Sequence, residues 1–198
     1  MEDIIICTAN PKKISEFNKI LVLNPSLKFN FRSITEDHKN FDVEETGETF
    51  FENSLLKARA GAKLTDSFCI ADDSGIEINA LEGKPGIYSK RYLEAKANGV
   101  SDVLEELKDA QDRECRYVCS IVLVDNKGTL IFKTENYWQG EIGFEARGNN
   151  GFGFDPIVHP GEYPAKTVSE LDTETKNKLS HRAQAMGELK KFLETKLV

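Results

Sequence analysis

Apolar and polar positions alternate along this chain with two different periods, and the switches between them mark out its elements. Residues 4–8 form a short, nearly all-apolar run, the pattern of a strand covered on both faces. Asn10 and Pro11 follow as an N-cap and a first helical residue. Ile14, Phe17 and Leu21 then recur at helical spacing until Asn24-Pro25 stops the helix. Leu27, Phe29 and Phe31 alternate with Lys28, Asn30 and Arg32, as in a half-buried strand. Residues 35–47 are polar and acidic and read as a loop. The helical pattern returns over 49–64, with Phe51, Leu55 and Ala58 on one stripe. Residues 68–71 predict a second buried strand, which runs straight into Asp72-Asp73-Ser74-Gly75, and Ile76 and Ile78 suggest extended chain again.

Residues 82–88 hold two glycines and a proline and read as a loop, and 103–107 belong to a short helix. The stretches 117–124 and 129–134 flank Asp125-Asn126-Lys127-Gly128, a hairpin signal. Residues 140–156 are rich in glycine and predict a loop region. The tail over 180–197 predicts an amphipathic helix, with Ser180 as its N-cap and Ala183, Met186, Leu189 and Leu193 on the inner face. There are no internal repeats. Helices and strands intermix, with at least one hairpin, so the fold class is α/β with a mixed sheet.

Composition narrows the function classes. The 198 residues suit one domain or two tightly fused lobes, long enough to bury a core without staples. A formal net charge of −7 argues against a nucleic-acid partner, whose phosphates such a surface repels, but not against a nucleotide met by a local lysine cluster and a metal. The apolar runs are too short to cross a bilayer, so no membrane partner is expected. The first residues lack a basic segment and a cleavage site, so no signal peptide is expected and the expected location is cytoplasmic. Cys7, Cys69, Cys115 and Cys119 fit neither a redox nor a zinc pair and read as reduced core thiols.

Polar residues cluster at five places where the core pattern breaks. Thr8-Ala9-Asn10-Pro11-Lys12-Lys13 puts a helix start and two lysines after the first strand. That suits a phosphate, or is simply a capped helix with solvated lysines. Glu44-Glu45 is either a surface pair or a source of a magnesium ligand. Asp72-Asp73 stands at the end of a buried strand, where unpaired carboxylates are costly and a hard cation would offset them. The other reading of this pair is a turn with a local cap. Gly148-Asn149-Asn150-Gly151-Phe152-Gly153-Phe154-Asp155-Pro156 suits a loop whose backbone approaches a ligand while a ring stacks on it, or a structural loop with ring anchors. Lys176 with His181-Arg182, at the start of the last helix, suits recognition of an anion or a base.

Taken together, TANPKK-x-x-E, EETGETFFENSLLKA, ADDSGIEINALEGKPGIYSKRY, GNNGFGFDPI and SHRAQA resemble the inosine triphosphate pyrophosphatase family, also called the Ham1-like or XTP/dITP diphosphatase family. The resemblance covers nearly the whole chain. It implies hydrolysis of ITP, dITP and XTP to monophosphate and pyrophosphate with Mg2+. It also implies a single domain over 1–198 with an elongated mixed sheet, two lobes with a central substrate cleft, and a homodimer. By the same resemblance Thr8, Ala9, Asn10, Pro11, Lys12 and Lys13 would cradle the triphosphate and Glu44 would bind metal. Asp73 would bind metal and accept a proton, with Ser74 touching substrate. Phe152, Gly153, Phe154, Asp155, Lys176, His181 and Arg182 would hold the nucleoside, largely its base. The division of labour within Glu44/Glu45 and Asp72/Asp73 stays open. After Tyr92 the segment LEAKANGVSDVLEEL is shorter than in many members of that family.

Overall fold

A computed structural model describes residues 3–22 and 27–196; the expected helix stop at Asn24-Pro25 lies outside the described residues. Among the described residues, seven strands form one mixed sheet. They are β1 (Asp3–Ile6), β2 (Asn30–Ser33), β3 (Phe68–Ile78), β4 (Pro85–Gly86), β5 (Glu114–Val124), β6 (Leu130–Ile142) and β7 (Val158–Pro160). Their order is β2-β1-β3-β5-β6-β7, with β4 on β3. β1 is parallel to β2 and β3, while β3–β4 and β6–β7 are antiparallel. The helices are α1 (Pro11–Phe17), α2 (Phe50–Thr65), α3 (Ser89–Glu94), α4 (Val100–Glu106), α5 (Thr173–Leu179) and α6 (His181–Lys196). An α/β fold with a mixed sheet is therefore what the chain adopts.

The described chain falls into two compact units. The first comprises 1–73, 119–136 and 182–198; the second comprises 74–118 and 137–181. In the first unit the period-two alternation of the strands separates two apolar layers. Ile4, Ile6, Ile70, Cys119, Ile121 and Leu123 pack with Phe17 and Leu21 and with Ala185, Met186, Leu189 and Leu193 of α6. Ile5, Cys7, Cys69, Ala71, Val122 and Val124 face the other way, onto Ala58 and Ala62 of α2. That is why these strands read as continuous apolar runs: both faces are covered.

Local chemistry sets the helix starts. Asn10 Oδ1 accepts from the Lys12 and Lys13 amides, with Pro11 opening α1. A single turn of π-helix, Asn18–Val22, continues the periodic stretch beyond α1. Thr49 and Glu52 close a capping box on α2. On α2 the sheet-facing positions are small because the helix lies close. A Cβ on Gly61 would run into Cys7 Sγ and stand 3.1 Å from Cys69 Sγ. All four cysteines are free and buried, as expected.

In the second unit Ile76, Ile78, Cys115, Tyr117, Trp138, Ile142, Phe154, Ile157 and Val158 form the core with Val103 and Leu107. Arg113 ties its edges together: buried, it donates to the carbonyls of Leu107, Ile142 (2.8 Å) and Gly143 (2.6 Å).

Several boundaries differ from the sequence expectation. The strand expected to stop at Ala71 continues unbroken to Ile78, so Asp72 and Asp73 sit inside β3 rather than at its end. The expected loop over 140–156 begins later, because β6 extends to Ile142 with Trp138 and Ile142 turned into the core. The last helix, α6, begins at His181 as expected, but it is preceded by a further helix, α5, that was not expected and that has Ser180 as its C-cap. On α6 Ala185, not Ala183, is fully buried beside Met186, Leu189 and Leu193. Short α3, β4 and β7 carried no usable periodicity.

The approach at Gly61 is testable. An alanine at an ordinary helix glycine is stabilising by about 1 kcal/mol. Here Gly61→Ala should instead destabilise by about 1–3 kcal/mol through overpacking. Combining it with Cys7→Ala should recover much of that loss in a double-mutant cycle. Urea midpoints measure both; simple additivity of the two changes would show that the thiol is not the obstacle.

Candidate active site

Two adjacent carboxylates at the middle of β3 meet opposite fates. Asp72 is fully buried. Its Oδ2 binds Lys13 Nζ at 2.8 Å and Arg182 Nε at 3.2 Å, and Arg182 Nη1 continues to Glu16 Oε2 at 2.6 Å. Burial alone would raise the Asp72 pKa, but Lys13, Arg182 and Lys57 outweigh it and hold the carboxyl well below the usual range. Among the described residues, Asp72 Oδ1 is buried without a hydrogen-bond partner. Arg182 is locked in its charged form: Asp72 and Glu16 more than offset its burial.

Asp73 points to the other side of the strand. Its Oδ2 accepts from Asn53 Nδ2 at 3.3 Å and its Oδ1 lies 3.4 Å from Lys57 Nζ, which also binds Glu45 Oε1 at 2.7 Å. Burial raises the Asp73 pKa; Lys57 and Lys13 pull it down, but Glu45 and Asp72 add to the rise, and the net direction is upward. Burial likewise opposes the charge on Lys57, and the surrounding carboxylates of Asp73, Asp72 and Glu45 restore it. Asn53 Oδ1 in turn accepts the Gly47 amide, tying the acidic loop to α2.

Asp73 and Glu45 offer hard oxygen donors, the type that divalent cations such as magnesium take. Both carboxylates already share Lys57, and among the described residues no group of three or more histidine, cysteine, aspartate or glutamate side chains gathers to hold a metal ion. Of the expected glutamates, Glu44 is exposed and Glu45 is the one whose carboxylate reaches the Lys57–Asp73 group.

The expected phosphate segment occupies the turn into α1. Thr8 is buried and its Oγ1 accepts the Asn10 amide at 3.2 Å; Ala9, Pro11 and Lys12 are exposed. Because Asn10 already takes the Lys12 and Lys13 amides, cation chemistry here falls on the two lysine side chains. Ser74, next on β3, is half-buried.

A second constellation lies in the second unit. Asp155, 4% exposed, accepts from Phe152 N at 2.8 Å and from Lys176 Nζ at 2.7 Å, both on Oδ2, and from the Tyr117 hydroxyl at 2.9 Å on Oδ1. Lys176 Nζ stands 4.7 Å from the Phe152 ring centroid. Phe154 is a core anchor, stacked on Tyr92 with centroids 6.4 Å apart, whereas Phe152 is the half-buried ring. Gly151 has φ +79°, and a Cβ there would strike Asp155 Oδ2; Gly153 has φ +63° and open space around it. His181 stacks on Tyr117, with centroids 5.0 Å apart and planes 7° apart. The guanidinium of Arg182, by contrast, is engaged by Asp72 and Glu16.

Sequence reasoning missed Glu16, Asn53, Lys57 and Tyr117. Asn53 and Lys57 are four apart on a predicted helix and so share a face, and Glu16 follows Lys13 at i+3; both spacings were readable. Tyr117 carried no signal, since it sits in an apolar run.

Fold and site define an α/β protein that sets fixed cations and a buried acid pair in one unit and a ring, a lysine and a carboxylate in the other. Residues 4–192 match the Ham1 family model, and the chain belongs to that family. It is 42% identical over 198 residues to a dITP/XTP pyrophosphatase of Staphylococcus epidermidis, covering 98% of this chain and 97% of the relative. It is 40% identical over 200 residues to a dITP/XTP pyrophosphatase of Bacillus subtilis, covering 98% of each. The solved HAM1 protein of Coxiella burnetii superposes with a TM-score of 0.86 at 38% identity over 98% of both chains.

Linkage gives the two aspartates opposite signs. Asp73 binds its proton more tightly folded than unfolded. Its contribution is thus present below the ordinary aspartate range and lost as pH rises through the raised folded value. Asp72, with its depressed value, contributes above that range and loses the contribution as pH falls. In metal-free buffer at pH 7, Asp73→Asn should therefore raise the urea midpoint. Asp72→Asn should cost about 3–5 kcal/mol, because Lys13 and Arg182 lose their buried counter-charge. Equal losses in both variants would contradict the assignment.

Proposed function

We propose that this protein hydrolyses non-standard purine nucleoside triphosphates, namely ITP, dITP and XTP, to the monophosphate and pyrophosphate with Mg2+, clearing them from the nucleotide pool. The observation that carries the reading is the divergence of Asp72 and Asp73. Environments that push two neighbouring acids apart assign them different tasks. Asp72 is a permanent anion that fixes Lys13 and Arg182. Asp73 is the carboxylate with surplus negative charge and proton affinity, suited to take a proton from an attacking water. The full-length likeness to relatives named dITP/XTP pyrophosphatase supports the same reading.

A triphosphate carries about four negative charges, and neutralising them is most of the task in phosphoryl chemistry. Lys12 and Lys13 meet them at the head of α1, with Thr8 and Asn10 shaping that turn. Lys57 holds Asp73 and Glu45 in register, and Asn53 orients the Asp73 carboxylate so that its proton acceptor is fixed. A divalent cation held by Asp73 with Glu44 or Glu45 would supply Lewis-acid neutralisation of phosphate oxygens.

Base choice falls to the second constellation. Phe152 provides a ring face, and Lys176 an ammonium donor that suits the O6 acceptor of hypoxanthine or xanthine. The 6-amino group of adenine would meet Lys176 donor to donor, and such a mismatch in a site built for hydrogen bonding is worth orders of magnitude. Asp155 and His181 complete this set. Since Arg182 is bound to Asp72 and Glu16, its share lies in holding the anion rather than in reading the base.

Pyrophosphate release assays test this. ITP, dITP and XTP should turn over with Mg2+ and ATP at least about 100-fold less efficiently. Asp73→Asn should lower kcat by about 100-fold or more with a smaller change in KM. Lys13→Ala and Arg182→Ala should depress ITP and ATP in proportion, whereas Lys176→Ala should narrow the ITP-to-ATP ratio. Equal turnover of ATP, or orthophosphate as the first product, would refute the proposal.

A further inference from the structure

The second unit holds a buried phenol that the chemistry above does not use. Tyr117 lies on β5, is 7% exposed, and packs in the core beside Trp138, with ring centroids 6.2 Å apart. A hydroxyl so placed is costly unless it finds a partner. It donates to Asp155 Oδ1 at 2.9 Å. The opposite carboxylate oxygen, Oδ2, takes both the Phe152 amide and Lys176 Nζ. Those two donors leave the carboxylate able to pivot about Oδ2. The Tyr117 hydroxyl, on the other oxygen, sets its plane. Burial and the charge of Asp155 push the phenol well above its ordinary pKa, so it stays a donor throughout the working pH range. The same ring lies flat on His181, whose orientation a parallel stack at 5.0 Å restrains.

We propose that Tyr117 is a positioning residue for base recognition: its hydroxyl fixes the Asp155 carboxylate, and through it Phe152 and Lys176, while its ring orients His181. This rests on the functional reading above. A tyrosine serving only to fill the core would do as well as phenylalanine. The hydroxyl's place on Asp155 gives it a separate task, since a fixed carboxylate holds the glycine-flanked Phe152 and the ammonium of Lys176 where a base would meet them.

Tyr117→Phe keeps the ring and removes only the hydroxyl. It should raise KM for ITP by about tenfold, leave kcat within about twofold and narrow the ITP-to-ATP ratio of kcat/KM. Amide exchange across 150–156 in the substrate-free protein should become faster. An unchanged KM and ratio, unchanged exchange, or a lower Tm with the ratio preserved each overturns the proposal, the last by showing a purely structural role. The wild-type enzyme assayed in parallel separates the two readings. If it fails to hydrolyse ITP, the proposed function falls, and the exchange measurement alone then decides whether Tyr117 positions the loop.

Discussion

The structure of the first unit turns on one ion cluster. Asp72 is a carboxylate with no access to water, and such a group persists only when cations are brought to it. Lys13 comes from α1 and Arg182 from α6, 110 residues beyond Asp72 in the chain, and Glu16 balances the second charge of the cluster. The start of the first helix, the middle of the central strand and the start of the last helix are thereby held to one point. Both apolar layers of that unit pack around the same strands, so the ion cluster and the core fix each other's geometry.

That arrangement explains how two consecutive residues of one strand differ so sharply. Side chains at successive strand positions point to opposite faces. Asp72 therefore turns toward α1 and α6, where two cations await it, and Asp73 turns toward α2, where Lys57 is shared with Glu45. The pleat converts an Asp-Asp dipeptide into one fixed anion and one carboxylate with surplus charge. The surplus is a cost in stability that a pure scaffold would have no reason to keep, and functional sites are where such conflicts are retained.

The second unit solves a different problem by similar means. A glycine-rich stretch has little side-chain packing to hold it, yet two features tie down the segment before Asp155. Phe154 anchors it in the core, and the Asp155 carboxylate gathers a backbone amide, an ammonium and a phenol. Positive φ at Gly151 and Gly153 lets the backbone pass close by, and at Gly151 the carboxylate itself excludes any side chain.

Much of this was written locally. The apolar runs, the Asn10-Pro11 start, the Thr49 cap and the Asp125–Gly128 turn depend on near neighbours, and so did the recognition of five ordered motifs. Local order was silent or misleading where long-range partners decide. Asp72 and Asp73 looked like a strand end, because nothing in the sequence near them shows that Lys13, Lys57 and Arg182 will compensate their burial and let β3 continue. Arg182 looked like a companion of His181, yet the helix start sends consecutive side chains in different directions, one to Tyr117 and one to Asp72. Tyr117 was indistinguishable from a core residue until the fold brought Asp155 to its hydroxyl. The chain's pattern by itself determined the longer strands and helices and the polar clusters that interrupt them, since those follow from periodicity and residue type. Only the tertiary structure decided which carboxylate is paired with cations as a fixed anion and which binds its proton more tightly, because that is set by groups tens of residues apart in sequence whose interactions strengthen only once folding has excluded water from around them.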